Sequence, residues 1–263
     1  MGVFNRLKGN SWRTVYFFRL LPQLYMMFKK QAKLEIIKIS ILVFLTKFIN
    51  MIVMFLPLKV LFLLSGSKNI SFFYDIEKRI GRDFYIGTII AIVIVLYLLN
   101  VVLQIYKTRI VKRQKIMIEK NKYEFRGMVK SHKVISKTYV SFCQVLGDIM
   151  LVLFVFIALL LLNVHYAIFY SSMVLVYFVI LEQWAFPIHQ TKLMEKLNID
   201  AKIFIHVTGV LLYLMLFLGL IVVVLTEDMT ILIAVLIIIL VRLGHGALNS
   251  FFSSQINLRK HYL

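Results

Sequence analysis

Charged and amide side chains recur inside stretches of this chain that are otherwise apolar for about 20 residues. The charged members are Lys47, Asp148, Glu182 and Arg242, and the uncharged ones are Asn50, Asn100, Gln104, His245 and Asn249. Ionisable side chains at membrane depth are costly and usually face a partner, a proton relay or a substrate path. We therefore expect these cations and carboxylates to pair, or the group to line a path for a substrate or a proton. The sequence also allows each head group to extend to the nearest membrane surface.

Six apolar stretches must position these side chains. They cover residues 36–65, 85–106, 140–162, 166–186, 204–225 and 230–252. A bilayer core of about 30 Å needs roughly 20 residues of helix, and in lipid only a helix satisfies its backbone groups within one segment. We predict an all-α integral membrane protein with a cytoplasmic tail and interfacial helix (1–34), a six-helix transmembrane domain (35–254) and a cytoplasmic tail (255–263).

Positive charge lies mostly on one side of these stretches. Residues 1–38, 107–138, 192–202 and 242–263 hold 25 of the 31 Lys and Arg, whereas the connections on the other side hold four. Cytoplasmic loops carry the excess of Lys and Arg, so both termini are predicted to be cytoplasmic. The net charge of +19 therefore indicates topology. It does not indicate a nucleic-acid surface, because the cations flank the spans instead of forming one patch. Composition is compatible with a multi-pass protein of the bacterial inner (plasma) membrane.

The spacing of the polar residues predicts shared helix faces at a common depth. Arg242, His245 and Asn249 follow an i, i+3, i+7 pattern, and Asn100 and Gln104 are four residues apart. At 1.5 Å per residue, the four charged groups lie about 18 to 26 Å from the non-cytoplasmic end of their spans. We therefore predict one polar layer in the cytoplasmic half of the membrane.

No motif in the sequence is typical of catalysis or metal binding. It has no nucleophile elbow, no HExxH pair and no GxxxxGK[ST] phosphate loop. A single cysteine, Cys143, excludes an intrachain disulfide, and the six histidines lack ligand-type spacing. We expect neither an enzyme nor a bound metal or cofactor.

Two further segments have helical patterns outside the spans. Residues 11–30 combine aromatic side chains with Arg19, Gln23 and Lys30 on one line. This pattern predicts a helix in the membrane interface, with its apolar side in the acyl boundary and its cations at the headgroups. Residues 107–140 are rich in cations and contain no proline, which predicts two helical arms projecting into the cytoplasm. The turn between the arms is expected at Asn121, Lys122, Tyr123, Glu124, Phe125, Arg126 and Gly127.

Taken together, these features resemble the transmembrane domain of ABC exporters. The resemblance rests on the aromatic, basic segment before the first span, on Leu56-Pro57-Leu58 near its far end, on the long cytoplasmic loop and on two tight hairpins. It covers nearly the whole chain and looks most like stand-alone six-span members without a fused ATPase.

The resemblance implies a homodimer of six-span bundles around a central substrate path. It also implies a separate ATPase subunit that docks on the turn at 121–127 and drives export. Two other functions stay open from the residues alone. One is proton-driven transport with a similar bundle, and the other is a non-transport role such as an assembly factor or a toxin-neutralising immunity protein.

Overall fold

Seven α-helices make up the part of the chain that the computed structural model describes, which is residues 13–32, 35–64, 82–120, 132–186, 200–227, 229 and 231–262. They are α1 (Arg13–Ala32), α2 (Ile36–Leu64), α3 (Arg82–Lys120), α4 (His132–Leu162), α5 (Val164–Trp184), α6 (Ala201–Thr226) and α7 (Ile231–Tyr262). Helices α2 to α7 are each long and apolar enough to cross a membrane. The predicted all-α architecture with six spans is therefore confirmed.

Three helices run further than the apolar stretches that predicted them. α3 continues past the apolar stretch to Lys120 and α4 begins at His132, so the two segments predicted as arms within residues 107–140 are helical on both sides of residues 121–131, which lie outside the described part of the chain. α7 continues to Tyr262 through residues that we assigned to a cytoplasmic tail, and Ile256 and Leu258 in this part are buried. The length of an apolar stretch reflects the thickness of the hydrocarbon core of the membrane. The helix itself continues until Gly, Pro or a capping residue ends it.

Two tight connections lie at the same end of the bundle, which we call the Asn163 end. Asn163 alone separates α4 from α5, and its side chain accepts a hydrogen bond from the Tyr166 backbone N–H at 2.7 Å, which caps α5. Glu227 at the end of α6 accepts from Asn163 Nδ2 at 2.5 Å and lies 2.9 Å from His165 Nδ1. The two predicted hairpins, α4–α5 and α6–α7, are therefore present and turn side by side.

Helices α4 and α7 form the centre of the bundle. They pack on each other along most of their length, and both also contact α2. α6 packs on α5 and α7, while α3 packs mainly on α2 and exposes apolar side chains along most of its other face. Because α5 and α6 pack on α4 and α7 of their own chain, one copy forms a complete six-span bundle.

Helix α1 packs on the end of the bundle opposite Asn163. The Phe28 ring on α1 lies 5.4 Å from the Tyr139 ring of α4, and the Phe17 ring lies 6.0 Å from the Phe251 ring of α7. Arg19 and Gln23 on the other side of α1 are exposed. We expected the apolar side of this segment to face acyl chains. Much of it instead contacts the protein, because the ends of α4 and α7 offer aromatic partners.

Candidate functional site

A layer of polar side chains crosses the bundle between its two ends. Its members are Thr46, Lys47 and Asn50 on α2, Asn100, Gln104 and Lys107 on α3, Gln144 and Asp148 on α4, Tyr177 on α5, and His245, Asn249 and Ser250 on α7. α6 contributes the Ile205 carbonyl oxygen, so every span takes part. Asp148 lies fifteen residues before Asn163, about 22 Å along α4, which places the layer well inside a membrane span.

An ion pair between Lys47 and Asp148 stands at the centre of this layer. Lys47 Nζ also donates to Ser250 Oγ at 3.1 Å, and Gln144 Nε2 donates to the same hydroxyl at 2.9 Å. The Asp148 side chain is fully buried, whereas 31% of the Lys47 side chain is exposed. Charge-assisted contacts of this kind are stronger than neutral ones, so the pair joins α2, α4 and α7 at one level.

Amide side chains continue the layer from α2 to α3. Asn100 Nδ2 donates to Asn50 Oδ1 at 3.3 Å, and Gln104 Nε2 donates to Asn100 Oδ1 at 3.4 Å. Lys107 Nζ lies 3.5 Å from Thr46 Oγ1. These distances are at the long end of the hydrogen-bond range, so the contacts are weak. They add a second lysine to the layer, in which Asp148 is the only carboxylate.

On the other side of α7, the layer is uncharged and closely packed. The Tyr177 hydroxyl lies 3.1 Å from both the Ile205 carbonyl oxygen and Asn249 Oδ1. Asn249 Nδ2 lies 3.1 Å from His245 Nε2. A Cβ at Gly209 on α6 would collide with the Asn249 amide. Glycine at this position therefore lets α6 approach α7 closely enough for the Asn249 amide to reach Tyr177.

Arg242 lies outside the layer, although the depth count placed it there. It precedes Ser250, the α7 residue that contacts the ion pair, by eight residues, about 12 Å of helix, in the direction of the Asn163 end, and it lies one turn beyond His245, the nearest member of the layer. A Cβ at Gly244 would lie 2.5 Å from the Tyr170 hydroxyl and 3.1 Å from a Val155 methyl group, and both belong to the half of the bundle nearer Asn163. The count assumed that all spans begin at one level. Membrane-spanning helices that differ in length and tilt do not all begin at one level.

One face of α7 therefore carries polar groups over several turns. Arg242, His245, Gly246, Asn249 and Ser253 form this face, which we call the α7 stripe. At 100° per residue, its first and last members are about 20° apart around the helix axis. Arg242 and Gly246 are exposed, and nothing lies within 4 Å of a Cβ built at Gly246. Within the described part of the chain, Arg242 makes no hydrogen bond or ion pair.

Helices α2 and α6 flank the α7 stripe. On one side, Lys47 of α2 reaches α7 through Ser250. On the other side, the Tyr213 ring of α6 lies 5.5 Å from the His245 ring. In the part of the chain that the structure describes, the stripe thus lies on an open face between two spans that each contact α7, at membrane depth.

The remaining predicted residues are distributed differently. Glu182 lies half-buried in the last turn of α5, five residues beyond Tyr177. The predicted turn at 121–127 lies outside the described residues. Sequence reasoning missed Thr46, Lys107, Tyr177 and Ser250 as members of the layer. Thr46, Tyr177 and Ser250 each carried the weak signal of a hydroxyl group within a predicted span, whereas Lys107 was counted among the cytoplasmic cations.

These features define a multi-pass α-helical membrane protein that contacts the lipid bilayer and holds a polar layer within its spans. No three or more His, Cys, Asp or Glu side chains in the described ranges come together as metal ligands. No protein-family model, curated protein or solved structure matches the chain.

Proposed function

We propose that this chain is the transmembrane subunit of an export-type transporter. Two copies pair with their α7 stripes facing each other, and the substrate passes between them. A separate ATPase supplies the energy, as in the ABC exporters that the sequence resembles. The observation that carries this proposal is the exposure of Arg242 at membrane depth on a face that the described residues of its own bundle leave open.

The free-energy cost of exposing Arg242 to lipid favours a second copy of the chain against this face. An arginine at the centre of a membrane-spanning helix costs about 2.5 to 3.5 kcal/mol on insertion scales. A two-fold pair would place the same face of each copy opposite the other. Two Arg242 side chains would then repel each other across the axis, which favours a water-filled gap over a dry interface. A water-filled gap of this kind would give the substrate a path between the two copies.

A basic arm supports the choice of an ATPase as the energy source. α3 has 39 residues, about 58 Å, so it extends well beyond a hydrocarbon core of about 30 Å. α4 packs beside it, with Ile118 and Ile135 buried and Ser136 Oγ donating to Glu119 at 3.3 Å. Arg109 and Arg113 are exposed on this arm. A packed two-helix arm is stiff enough to transmit motion from a soluble partner to the spans.

The ATPase partner is tested by affinity purification from the native membrane. We expect an ATPase subunit to co-purify with the wild-type chain, and we expect it to be lost in the variant Tyr123→Ala/Phe125→Ala/Arg126→Ala. Lys202→Ala, which removes an exposed cation at the start of α6, should retain it. An ATPase that is absent from all three preparations would contradict this part of the proposal.

The homodimer is tested by cross-linking in native membranes. In a Cys143→Ala background, Gly246→Cys should give a band of twice the monomer mass with a flexible bis-maleimide. The matched control is Val102→Cys, which places a thiol on α3 between two residues of the polar layer, at a site that is 60% exposed. Equal cross-linking of both variants would indicate random collision, and no cross-linking at Gly246 would contradict the proposed pairing.

A proton-driven transporter is the second candidate, and the Lys47–Asp148 pair favours it. A buried carboxylate that shares a membrane-depth site with a lysine is a typical element of proton relays. If no ATPase co-purifies, flux into proteoliposomes that follows an imposed proton gradient and disappears with Asp148→Asn would support this candidate. Flux that requires ATP would support the first.

A further inference from the structure

Positive charge predominates on the open face that contains the α7 stripe. Arg242 is exposed, and Lys47 at the edge of the face is partly exposed. The carboxylate in the polar layer, Asp148, is fully buried behind Lys47. The other described carboxylates lie at or near helix ends, namely Glu35, Glu119, Glu182, Asp200 and Glu227. Among the described residues, a ligand on this face therefore meets cations that no exposed carboxylate at the same depth neutralises.

The same face of α7 is apolar on the Asn163 side of Arg242. Val235, Ile238 and Ile239 lie within about 60° of Arg242 around the helix axis, and all three are half-buried. Val235 precedes Arg242 by seven residues, about 10 Å of helix. Beyond Arg242 in the other direction, the face carries Asn249, whose amide also contacts Tyr177 and His245, and Ser253. Along α7, the order is therefore apolar, cationic and then hydrogen-bonding.

Space for a headgroup exists directly beside the arginine. Gly246 follows Arg242 by one turn on the same face, and nothing lies within 4 Å of a Cβ built there. Among the described residues, no side chain therefore occupies the space next to the helix backbone at Gly246, where an anion held by the guanidinium would lie. Arginine binds phosphate and carboxylate oxygens in a planar, two-pronged geometry, and such pairs are strongest where water is excluded.

We propose that the α7 stripe binds the anionic headgroup of an amphiphile. Arg242 holds a phosphate or carboxylate, Gly246 leaves room for it, and an acyl or alkyl chain lies along Val235, Ile238 and Ile239. The inference deepens the proposed transport function by naming the chemical class of the substrate. It rests on that proposal only in taking the stripe as the substrate path.

Binding to the purified full-length chain in a neutral maltoside detergent tests this inference. The probe is dodecyl phosphate, measured by native mass spectrometry and by the shift in the unfolding midpoint. We expect Arg242→Gln to weaken its binding about tenfold or more, which corresponds to the loss of one charge-assisted pair. Arg242→Lys should retain part of the affinity because it keeps the charge. Arg109→Gln, which removes an exposed cation on α3, should bind as the wild type does.

Two control ligands distinguish binding of the amphiphile from binding of a free anion or of an alkyl chain alone. Inorganic phosphate alone tests for a free-anion site, and dodecyltrimethylammonium tests for unselective binding of a chain. Stabilisation by dodecyl phosphate that far exceeds both supports the inference, whereas equal stabilisation by either of them overturns it.

The outcome of the dodecyl phosphate experiment can be interpreted separately from the stability of the variant and from dimerisation. Arg242 makes no hydrogen bond or ion pair in the described residues, so Arg242→Gln should unfold at the wild-type midpoint without the probe. If this variant binds dodecyl phosphate as tightly as the wild type while Gly246→Cys still cross-links, the headgroup inference is wrong and the transporter proposal stands. If the variant loses binding and Gly246→Cys does not cross-link, the headgroup site stands and the proposed pairing fails.

Discussion

Replacing Lys47 with methionine should lower the free energy of unfolding by about 3 kcal/mol. The change leaves the Asp148 carboxylate fully buried and without its counter-charge, and it removes the donor to Ser250. Asp148→Asn should cost less, because 31% of the Lys47 side chain is exposed and its ammonium can turn toward that side. Reversible unfolding in mixed micelles, with denaturing detergent as the variable, measures both values.

The double variant Lys47→Met/Asp148→Leu provides the control. It removes both charges and fills the site with apolar groups, so it should recover most of the stability that Lys47→Met loses. The coupling energy from the cycle of the wild type, Lys47→Met, Asp148→Leu and the double variant then reports the ion pair itself. If the two single losses add in the double variant, the pair contributes nothing and the layer is held by other contacts.

A methyl group at Gly147 should separate α2 from α4 and lower the free energy of unfolding by about 2 kcal/mol. A Cβ at this position would lie 2.7 Å from a Val43 methyl group and 2.9 Å from the Ser40 carbonyl oxygen. The carbonyl belongs to the α2 backbone, so it cannot rotate away. Because Gly147 immediately precedes Asp148, Gly147→Ala should also reduce the coupling energy between Lys47 and Asp148. The same unfolding assay measures both effects.

Gly87→Ala is the matched control for this prediction. Gly87 is also helical, but nothing lies within 4 Å of a Cβ built there. Alanine is the better helix former by about 1 kcal/mol, so this variant should be as stable as the wild type or slightly more stable. A Gly147→Ala protein that behaves like Gly87→Ala would contradict the close contact between α2 and α4.

The transmembrane architecture follows from local properties of the sequence. Apolar length determines how many helices cross the membrane, because the bilayer core has a fixed thickness. Short connections at Asn163 and Glu227 determine that neighbouring spans form hairpins, since a one-residue or four-residue link leaves no other path. The need for partners among intramembrane charges follows from the cost of burying them. These properties of the sequence were enough to predict six spans, two hairpins and a polar layer.

The identity of the partners depended on packing between distant segments. Lys47 reaches Asp148 only because α2 packs against α4 at Gly147, and it reaches Ser250 only because α7 packs on both helices. Residue counting also placed Arg242 in the layer, since it assumed spans with flush ends. Packing between the helices therefore determines which polar residues contact one another.

The sequence by itself determined that this is an all-α membrane protein with six spans and with costly polar groups inside them, because span length and charge are properties of single segments. Only the tertiary structure decided that Lys47 and Asp148 pair while Arg242 stays exposed on the α7 stripe. It also decided that α1 packs on the ends of α4 and α7. The physical reason is that the tilt, level and rotation of a helix are set by the neighbours it packs against.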